Sequence, residues 1–150
     1  RSVCSSPVRG CLCRVHGFWL HHVWFLRDAE PGCLVQLTRK MVPRVFAPGE
    51  LPERKHFYVI QRGIVILGAK VLTSGKSWGE DVLLPASSKY DADQQQARAM
   101  TYVDAYAISR NTLLAVVSTF SIARRNVRRA SILLMLQKEI LMRARERKLG

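Results

Sequence analysis

Two apolar runs in the middle of the chain, "HFYVIQRG" and "IVILGAKVL", constrain the fold more than any other feature. Both are rich in β-branched and aromatic residues, which is typical of strands, and Gly63 and Gly68 interrupt them as bends. The runs "MVPRVFAPGE" and "ARAMTYVDAYAI" continue the strand pattern on either side. Because short strands joined by glycine turns do not suit a parallel sheet, residues 42–108 are predicted to form an antiparallel, jelly-roll-like β-roll.

A helical pattern precedes this β-rich region. In "FLRDAEPGCLVQLTRKM", Asp28 is a candidate helix cap and Pro31 a candidate first-turn residue. Leu34, Leu37 and Met41 then recur at helical spacing. The segment is therefore predicted to be a short amphipathic helix.

Two more helices are predicted after the strands. Ser109 is a candidate cap for a helix that runs to about residue 120, and a longer helix follows from about residue 121 to 148. The predicted class is α+β: an antiparallel β-roll with a short N-terminal helix and two C-terminal helices over residues 109–148. The length of 150 residues suits one domain, placed at residues 24–148, behind a poorly specified leader at residues 1–23.

The last helix carries much of the positive charge of the chain. After residue 120, nine Lys or Arg residues stand against two acids, whereas the whole chain has a net charge of +13. The pairs Arg124-Arg125 and Arg128-Arg129 lie four residues apart and therefore share a helix face. That face is either solvated or in contact with anionic lipid headgroups. Nucleic-acid binding is not expected. A basic helix alone binds nucleic acid only in a salt-sensitive way and without sequence specificity, and no helix-turn-helix follows this one.

The reactive side chains indicate neither an enzyme nor a metal site. The four cysteines include no Cys-x-x-Cys pair, so reduced thiols are a better interpretation than zinc ligands. Glu80 and Asp81 are expected to lie on a strand, where neighbours point to opposite faces and cannot share a substrate. No catalytic residue is assigned. No run of about 18 apolar residues is present, so no membrane-spanning helix is predicted.

Four motifs carry a resemblance to a known family. "RVFAPGE", "FYVIQRGIV", "LTSGKSWGEDVLL" and "ARAMTYVDAYAISRNTLLAVV" occur in the order and spacing of a cyclic nucleotide-binding domain. Residues 24–140 resemble the domain found in voltage-gated potassium and hyperpolarisation-activated cation channels. The motif "WGED" is similar to the corresponding motif in domains from single-celled eukaryotes.

The resemblance implies a pocket for cyclic AMP or cyclic GMP. In this family a glycine lets the backbone approach the ligand, the next acid binds the ribose 2′-hydroxyl, and a later arginine pairs with the phosphate. Gly79 and Glu80 match the first two positions, and Trp78 is the aromatic residue that packs beneath them. Arg98 is a weak candidate for the third position, because the family register places Asp93 there.

An aspartate at the phosphate position argues against tight binding. Loss of a charge-assisted hydrogen bond costs about 1.5–3 kcal/mol, and a lysine such as Lys89 replaces the arginine fork poorly. We therefore favour a domain that keeps the fold of the family but whose pocket is either empty or filled by a segment of the same chain.

The function that the resemblance implies is regulatory. The chain would be a cytoplasmic domain of a voltage-gated cation channel, potassium-selective or mixed, that tunes gating through its C-terminal helix. Its partners would be the pore and voltage-sensor parts of a homotetrameric channel in the membrane. The alternative is a soluble cyclic-nucleotide sensor such as a protein kinase regulatory subunit. Hydrophobic spans encoded before residue 1 would favour the channel.

Overall fold

The computed structural model describes residues 20–85 and 95–150 of the chain. Within these residues, two 3-10 turns, at Leu20–His22 and Trp24–Leu26, precede a helix at Pro31–Lys40. The helices are α1 (Pro31–Lys40), α2 (Arg110–Ser118) and α3 (Ser121–Leu149). The strands are β1 (Val42–Phe46), β2 (His56–Arg62), β3 (Val65–Leu67), β4 (Lys70–Leu72), β5 (Ser77–Trp78), β6 (Ala97–Ala99) and β7 (Val103–Ser109), and a third 3-10 turn spans Glu80–Leu83.

The strands form two antiparallel sheets. One sheet has four strands in the order β1-β7-β2-β5, and the other has three in the order β4-β3-β6. Strands distant in sequence are neighbours in both sheets, as in the pairing of Phe46 with Val103. This is the open β-roll of an α+β protein, with one short helix before it and two helices after it, so the predicted fold class is confirmed.

Strand β2 separates two apolar cores because its side chains alternate in direction. Tyr58 and Ile60 face the interior of the roll, where small residues such as Ala105 complete the packing. Phe57 and Val59 face the opposite way, into a larger core to which the three described helices and the 3-10 turns before α1 contribute. The helices are therefore held to the roll by one continuous apolar layer.

The helix boundaries follow local chemistry. Pro31 occupies the first turn of α1, where its missing N–H leaves no bond unmade, and Ser109 caps α2 by accepting a hydrogen bond from the Thr112 backbone N–H. The prediction of Asp28 as the cap of α1 is wrong, because Glu30 is the residue at that position. Asp28 instead adopts a positive φ of 63° in the preceding turn.

The described part of the chain contains no helix that is long and apolar enough to cross a membrane. The expected leader at residues 1–23 lies largely outside the described residues. Leu20 and Val23 are described, and both are buried in the larger core, which also contains Phe57 and Val59. The division into leader and domain stays a prediction.

Candidate ligand-binding cavity

Gly79 lies where the end of β5 passes very close to β2. Its φ of +92° is a left-handed conformation, which costs a residue with a Cβ atom roughly 1–2 kcal/mol. A Cβ atom here would also overlap the carbonyl oxygen of His56 and would lie 3.1 Å from Cα of Phe57. Both the turn and the strand contact therefore require glycine at this position.

Trp78 is buried beneath this turn. Its ring stacks on Tyr58 with centroids 4.6 Å apart and planes 13° from parallel, and the two residues are direct partners between β2 and β5. The Tyr58 hydroxyl donates a hydrogen bond to the carbonyl oxygen of Glu53, 2.9 Å away. Burial, followed by the nearby charge of Glu53, raises the pKa of Tyr58 to about 12. The stacked pair supports the Gly79 turn from inside the roll.

Glu80 and Asp81 begin a 3-10 turn and do not extend the strand, so the predicted strand position of these two acids is wrong. The change follows from Gly79, whose left-handed conformation ends β5 and turns the chain. Asp81 Oδ1 lies 3.1 Å from Nζ of Lys138 on α3, and these side chains are only 31% and 16% exposed. This partly buried ion pair joins the turn after Gly79 to the last helix.

A cavity of about 280 Å³ lies between this turn and α3. Its volume is near the lower limit of small-molecule sites, about 300 Å³. The turn contributes Trp78, Gly79 and Asp81, and β6 contributes Ala97. The walls from α3 and from the segment before β2 are formed by Leu134, Gln137, Lys138, Leu141, Arg145, Arg54 and Lys55.

The cavity wall carries more positive than negative charge. Arg54, Lys55, Lys138 and Arg145 outnumber the acids Glu53 and Asp81 on the described surface. Lys138 pairs with Asp81, and Arg54 Nε donates to Oε1 of Gln96 at 2.7 Å. The balance favours an anionic ligand over a neutral or cationic one.

The four residues that the sequence suggested for the pocket do not all meet there. Trp78 and Gly79 line the cavity, whereas Glu80 and Arg98 are not among its described lining residues. Arg98 is exposed in the middle of β6, between the buried Ala97 and Ala99, so its side chain points out of the roll. Asp93 and Lys89, which the register argument used, lie outside the described residues.

Hydrogen bonds hold both C-terminal helices against the turn. The Arg110 guanidinium on α2 donates to the carbonyl oxygen of Leu84, and the Ser131 hydroxyl on α3 donates to that of Leu83 at 2.9 Å. These bonds satisfy two backbone carbonyls at the end of the 3-10 turn. The position of the turn and the positions of α2 and α3 therefore depend on one another.

Most residues that line the cavity were not suggested by the sequence, including both members of the ion pair, Lys138 and Asp81, of which only Lys138 had a usable signal. Lys138 is four residues after the buried Leu134, so it lies on the helix face that meets the roll. Asp81 gave no such signal, because its direction depends on the turn at Gly79.

No metal or thiol chemistry is indicated at the described positions. They include no group of three His, Cys, Asp or Glu side chains that could hold a metal ion. Cys33 is buried, and burial followed by the nearby Glu30 charge raises its pKa to about 11. A thiol with that pKa is a poor nucleophile at neutral pH.

The antiparallel roll, the glycine at the end of β5 and the C-terminal helix enclose a small positively charged cavity. The chain is similar to cyclic nucleotide-gated channel alpha-2 from Bos taurus, with 29% identity over 125 residues that cover 74% of this chain. It is also 28% identical to the cyclic nucleotide-gated cation channel of Ictalurus punctatus and 27% identical to cyclic nucleotide-gated channel alpha-3 of Homo sapiens, each over 74% of this chain. No protein-family model matches the chain.

These similarities support a cyclic nucleotide-binding domain of the type present in channels, and the relatives named are channels and not enzymes. The matched region spans 19% of the length of the Bos taurus channel and 18% of the other two. The narrower resemblance to potassium and hyperpolarisation-activated channels, and to versions from single-celled eukaryotes, stays a prediction.

Proposed function

We propose that this chain is the regulatory domain of a cation channel and that its α3 helix conveys the state of the cavity to the rest of the channel. The observation that carries the proposal is the ion pair between Lys138 and Asp81, which ties α3 to the wall of the cavity. Any ligand that moves the 3-10 turn also changes the environment of α3. The similar proteins named above are all cyclic nucleotide-gated channels, which supports the channel context.

In this proposal the domain lies on the cytoplasmic side of the membrane. It acts within a homotetramer that also contains a pore and a voltage sensor, and the pore is potassium-selective or mixed. Sequencing the transcript on the 5′ side of the Arg1 codon tests this directly. Six hydrophobic spans are expected there. A transcript that encodes none would contradict the channel and would favour a separate cyclic-nucleotide sensor.

The proposed ligand is cyclic AMP or cyclic GMP, bound weakly. Gly79 would let the ligand approach the backbone, and Trp78 would support the turn from below. The resemblance gives Glu80 the hydrogen bond from the ribose hydroxyl, although Glu80 does not line the cavity in this structure. Arg98 points away from the cavity, so it is badly placed to meet the phosphate. Without an arginine fork on the phosphate, the dissociation constant rises roughly 10- to 150-fold.

Calorimetry with cyclic AMP and cyclic GMP tests the weak binding. We expect no saturable heat at micromolar ligand. The informative variants are Glu80→Ala and, as a control, Glu146→Ala, which removes an exposed acid near the end of α3. Saturable heat at micromolar ligand that is lost in Glu80→Ala and kept in Glu146→Ala would show a functional high-affinity pocket and overturn the weak-binding proposal.

A further inference from the structure

The face of α3 that points away from the roll has an unusual composition for a solvent-exposed surface. The buried side of this helix is formed by Ala123, Val127, Ala130 and Leu134. On the opposite side, four large apolar side chains at helical spacing are between 51% and 66% exposed: Ile132, Leu133, Leu136 and Ile140. A cluster of exposed apolar residues on one helix face is typical of a surface that contacts something else.

Arginines lie on the same face as these apolar residues. Arg125 and Arg129 precede the cluster by helical spacing, and Arg147 follows it; all three are exposed. Within the described residues, Arg125 and Arg129 take part in no ion pair, whereas Arg143 is paired with Glu139 at 3.2 Å. The outer α3 face is defined here by its six members: Arg125, Arg129, Ile132, Leu133, Leu136 and Ile140.

An aromatic residue extends the outer α3 face toward the N-terminal turns. Trp24 is 39% exposed and lines a shallow surface groove together with Arg27, Arg129 and Leu133. One acid, Asp28, also lines that groove. Tryptophan with arginine beside exposed leucine and isoleucine is the composition of helices that lie at a membrane–water interface.

The charges argue against a second copy of this helix as the partner. In a parallel pairing Arg129 would face Arg129, and in an antiparallel pairing about Leu136 it would face Arg143. Like charges in direct contact destabilise such a pairing. An anionic surface meets the same arginines favourably, and each arginine near such a membrane strengthens binding roughly fivefold.

We propose that the outer α3 face binds an anionic lipid bilayer. Arg125 and Arg129 contact headgroup phosphates, and the four apolar side chains enter the interface between headgroups and acyl chains. The convex surface of a single helix suits this mode, because a bilayer deforms around it without needing a preformed groove. The proposal does not depend on cyclic-nucleotide binding, since the face lies opposite the cavity side of α3.

Co-sedimentation of the whole chain with lipid vesicles tests the proposal. The probes are vesicles of phosphatidylcholine alone and of phosphatidylcholine mixed with phosphatidylserine. We expect binding to the mixed vesicles only, weakened at high salt because screening reduces the attraction. The double variant Arg125→Gln/Arg129→Gln should lower the partition coefficient about twenty-five-fold.

A matched control separates local contact from net charge. Arg44→Gln/Lys70→Gln removes the same two charges from exposed positions on β1 and β4 of the roll, and it should lower binding much less. Leu136→Gln/Ile140→Gln keeps the charge and removes apolar contact, and it should also weaken binding. Both positions are exposed, so circular dichroism should show an unchanged fold.

Four outcomes would overturn the proposal. The first is equal binding to both kinds of vesicle, and the second is an equal loss of binding in the Arg44→Gln/Lys70→Gln control. The third is that the chain binds no vesicles but forms a dimer that Leu136→Gln/Ile140→Gln abolishes. The fourth is that the chain binds polyglutamate but not mixed vesicles. The third would assign the face to a second copy of the chain, and the fourth to an acidic polypeptide.

Discussion

At Gly79 a single hydrogen atom in place of a side chain satisfies two separate requirements. The left-handed φ of +92° ends β5, and the absence of a Cβ atom lets the turn rest against the carbonyl oxygen of His56. The first requirement is conformational and the second is steric. Only the second is specific to the contact that forms the cavity wall.

The two requirements can be separated by substitution. Gly79→Ala should lower the free energy of unfolding by about 3–5 kcal/mol, because it adds steric overlap to the strained φ. Gly49→Ala is the matched control: Gly49 also has a positive φ, of 85°, but nothing lies within 4 Å of its Cβ position. It should cost about 1–2 kcal/mol. Urea denaturation measures both, and equal losses would show that steric overlap at Gly79 contributes nothing.

The raised pKa of Tyr58 makes the free energy of unfolding depend on pH in the alkaline range. Its pKa is about 12 in the folded chain against an ordinary value of 10.0, so between pH 10 and 12 the folded state binds more protons than the unfolded state. Stability contributed by the neutral phenol is complete below pH 10 and is lost as the pH rises, by about 2–3 kcal/mol in total.

Two tyrosine variants test this pH dependence. Tyr58→Phe should flatten the fall in unfolding free energy over pH 10–12, although it also loses the hydrogen bond to Glu53. Tyr102→Phe, at an exposed tyrosine, should keep the wild-type slope. The measurement is a series of urea transitions at increasing pH. If Tyr58→Phe leaves the slope of unfolding free energy against pH unchanged, Tyr58 is not the group that causes the alkaline loss of stability.

At the scale of elements, the ion pair between Lys138 and Asp81 is one of the side-chain contacts that join α3 to the 3-10 turn after Gly79. A double-mutant cycle with Lys138→Gln and Asp81→Asn should give a coupling energy of about 1 kcal/mol in urea denaturation. The control cycle uses Arg62→Gln and Asp104→Asn, a pair whose side chains are 82% and 35% exposed. Solvent should reduce its coupling below about 0.5 kcal/mol. Equal coupling energies in the two cycles would show that the partly buried pair contributes no more than an exposed one.

The elements themselves could be predicted from the sequence, because their signals are local. Alternation, helical spacing, Pro31 and Ser109 placed the strands and helices close to their observed positions. The cap of α3 could not be predicted. The Glu30 carboxylate accepts hydrogen bonds from the backbone N–H groups of Ile122 and Ala123, at 2.8 and 3.0 Å, across more than ninety residues.

The cavity could be predicted only in part, because some of its contacts join residues that are far apart in the sequence. Trp78 and Gly79 belong to a local motif, and both line the cavity. Arg98 was a weak candidate because it is the only arginine between the motif and the next strand, and strand alternation turns it outward. Asp81 meets Lys138 only after the chain has folded, and nothing near either residue in sequence predicts the partner.

At the scale of the whole molecule, the N-terminal turns belong to the same core as the helices and one face of the roll. Phe25 is 1% exposed and packs edge-on against Phe57 of β2, with ring centroids 5.4 Å apart. The turn that carries Phe25 therefore contributes directly to the stability of the roll.

Two adjacent aromatic residues test this contribution. Phe25→Ala should lower the free energy of unfolding by about 3–5 kcal/mol, because it leaves a cavity in a closely packed core. Trp24→Ala, at the neighbouring and partly exposed position, should cost about 1 kcal/mol or less. Thermal and urea unfolding provide the measurements. Similar small losses for both would mean that the turn unfolds independently of the roll.

The capping of α3 by Glu30 has a mechanical consequence. The helix is fixed at Ile122, held again at Lys138 about 24 Å along its axis, and extends to Leu149, about 40 Å from the fixed point. If the contacts of Lys138 and Ser131 with the turn open together, and the buried side of the helix slides on the roll while Glu30 keeps its hydrogen bonds, α3 swings as a rigid lever about Ile122. Its far end then travels about 1.7 times as far as Lys138, so a small displacement at the cavity is enlarged at the end of the helix.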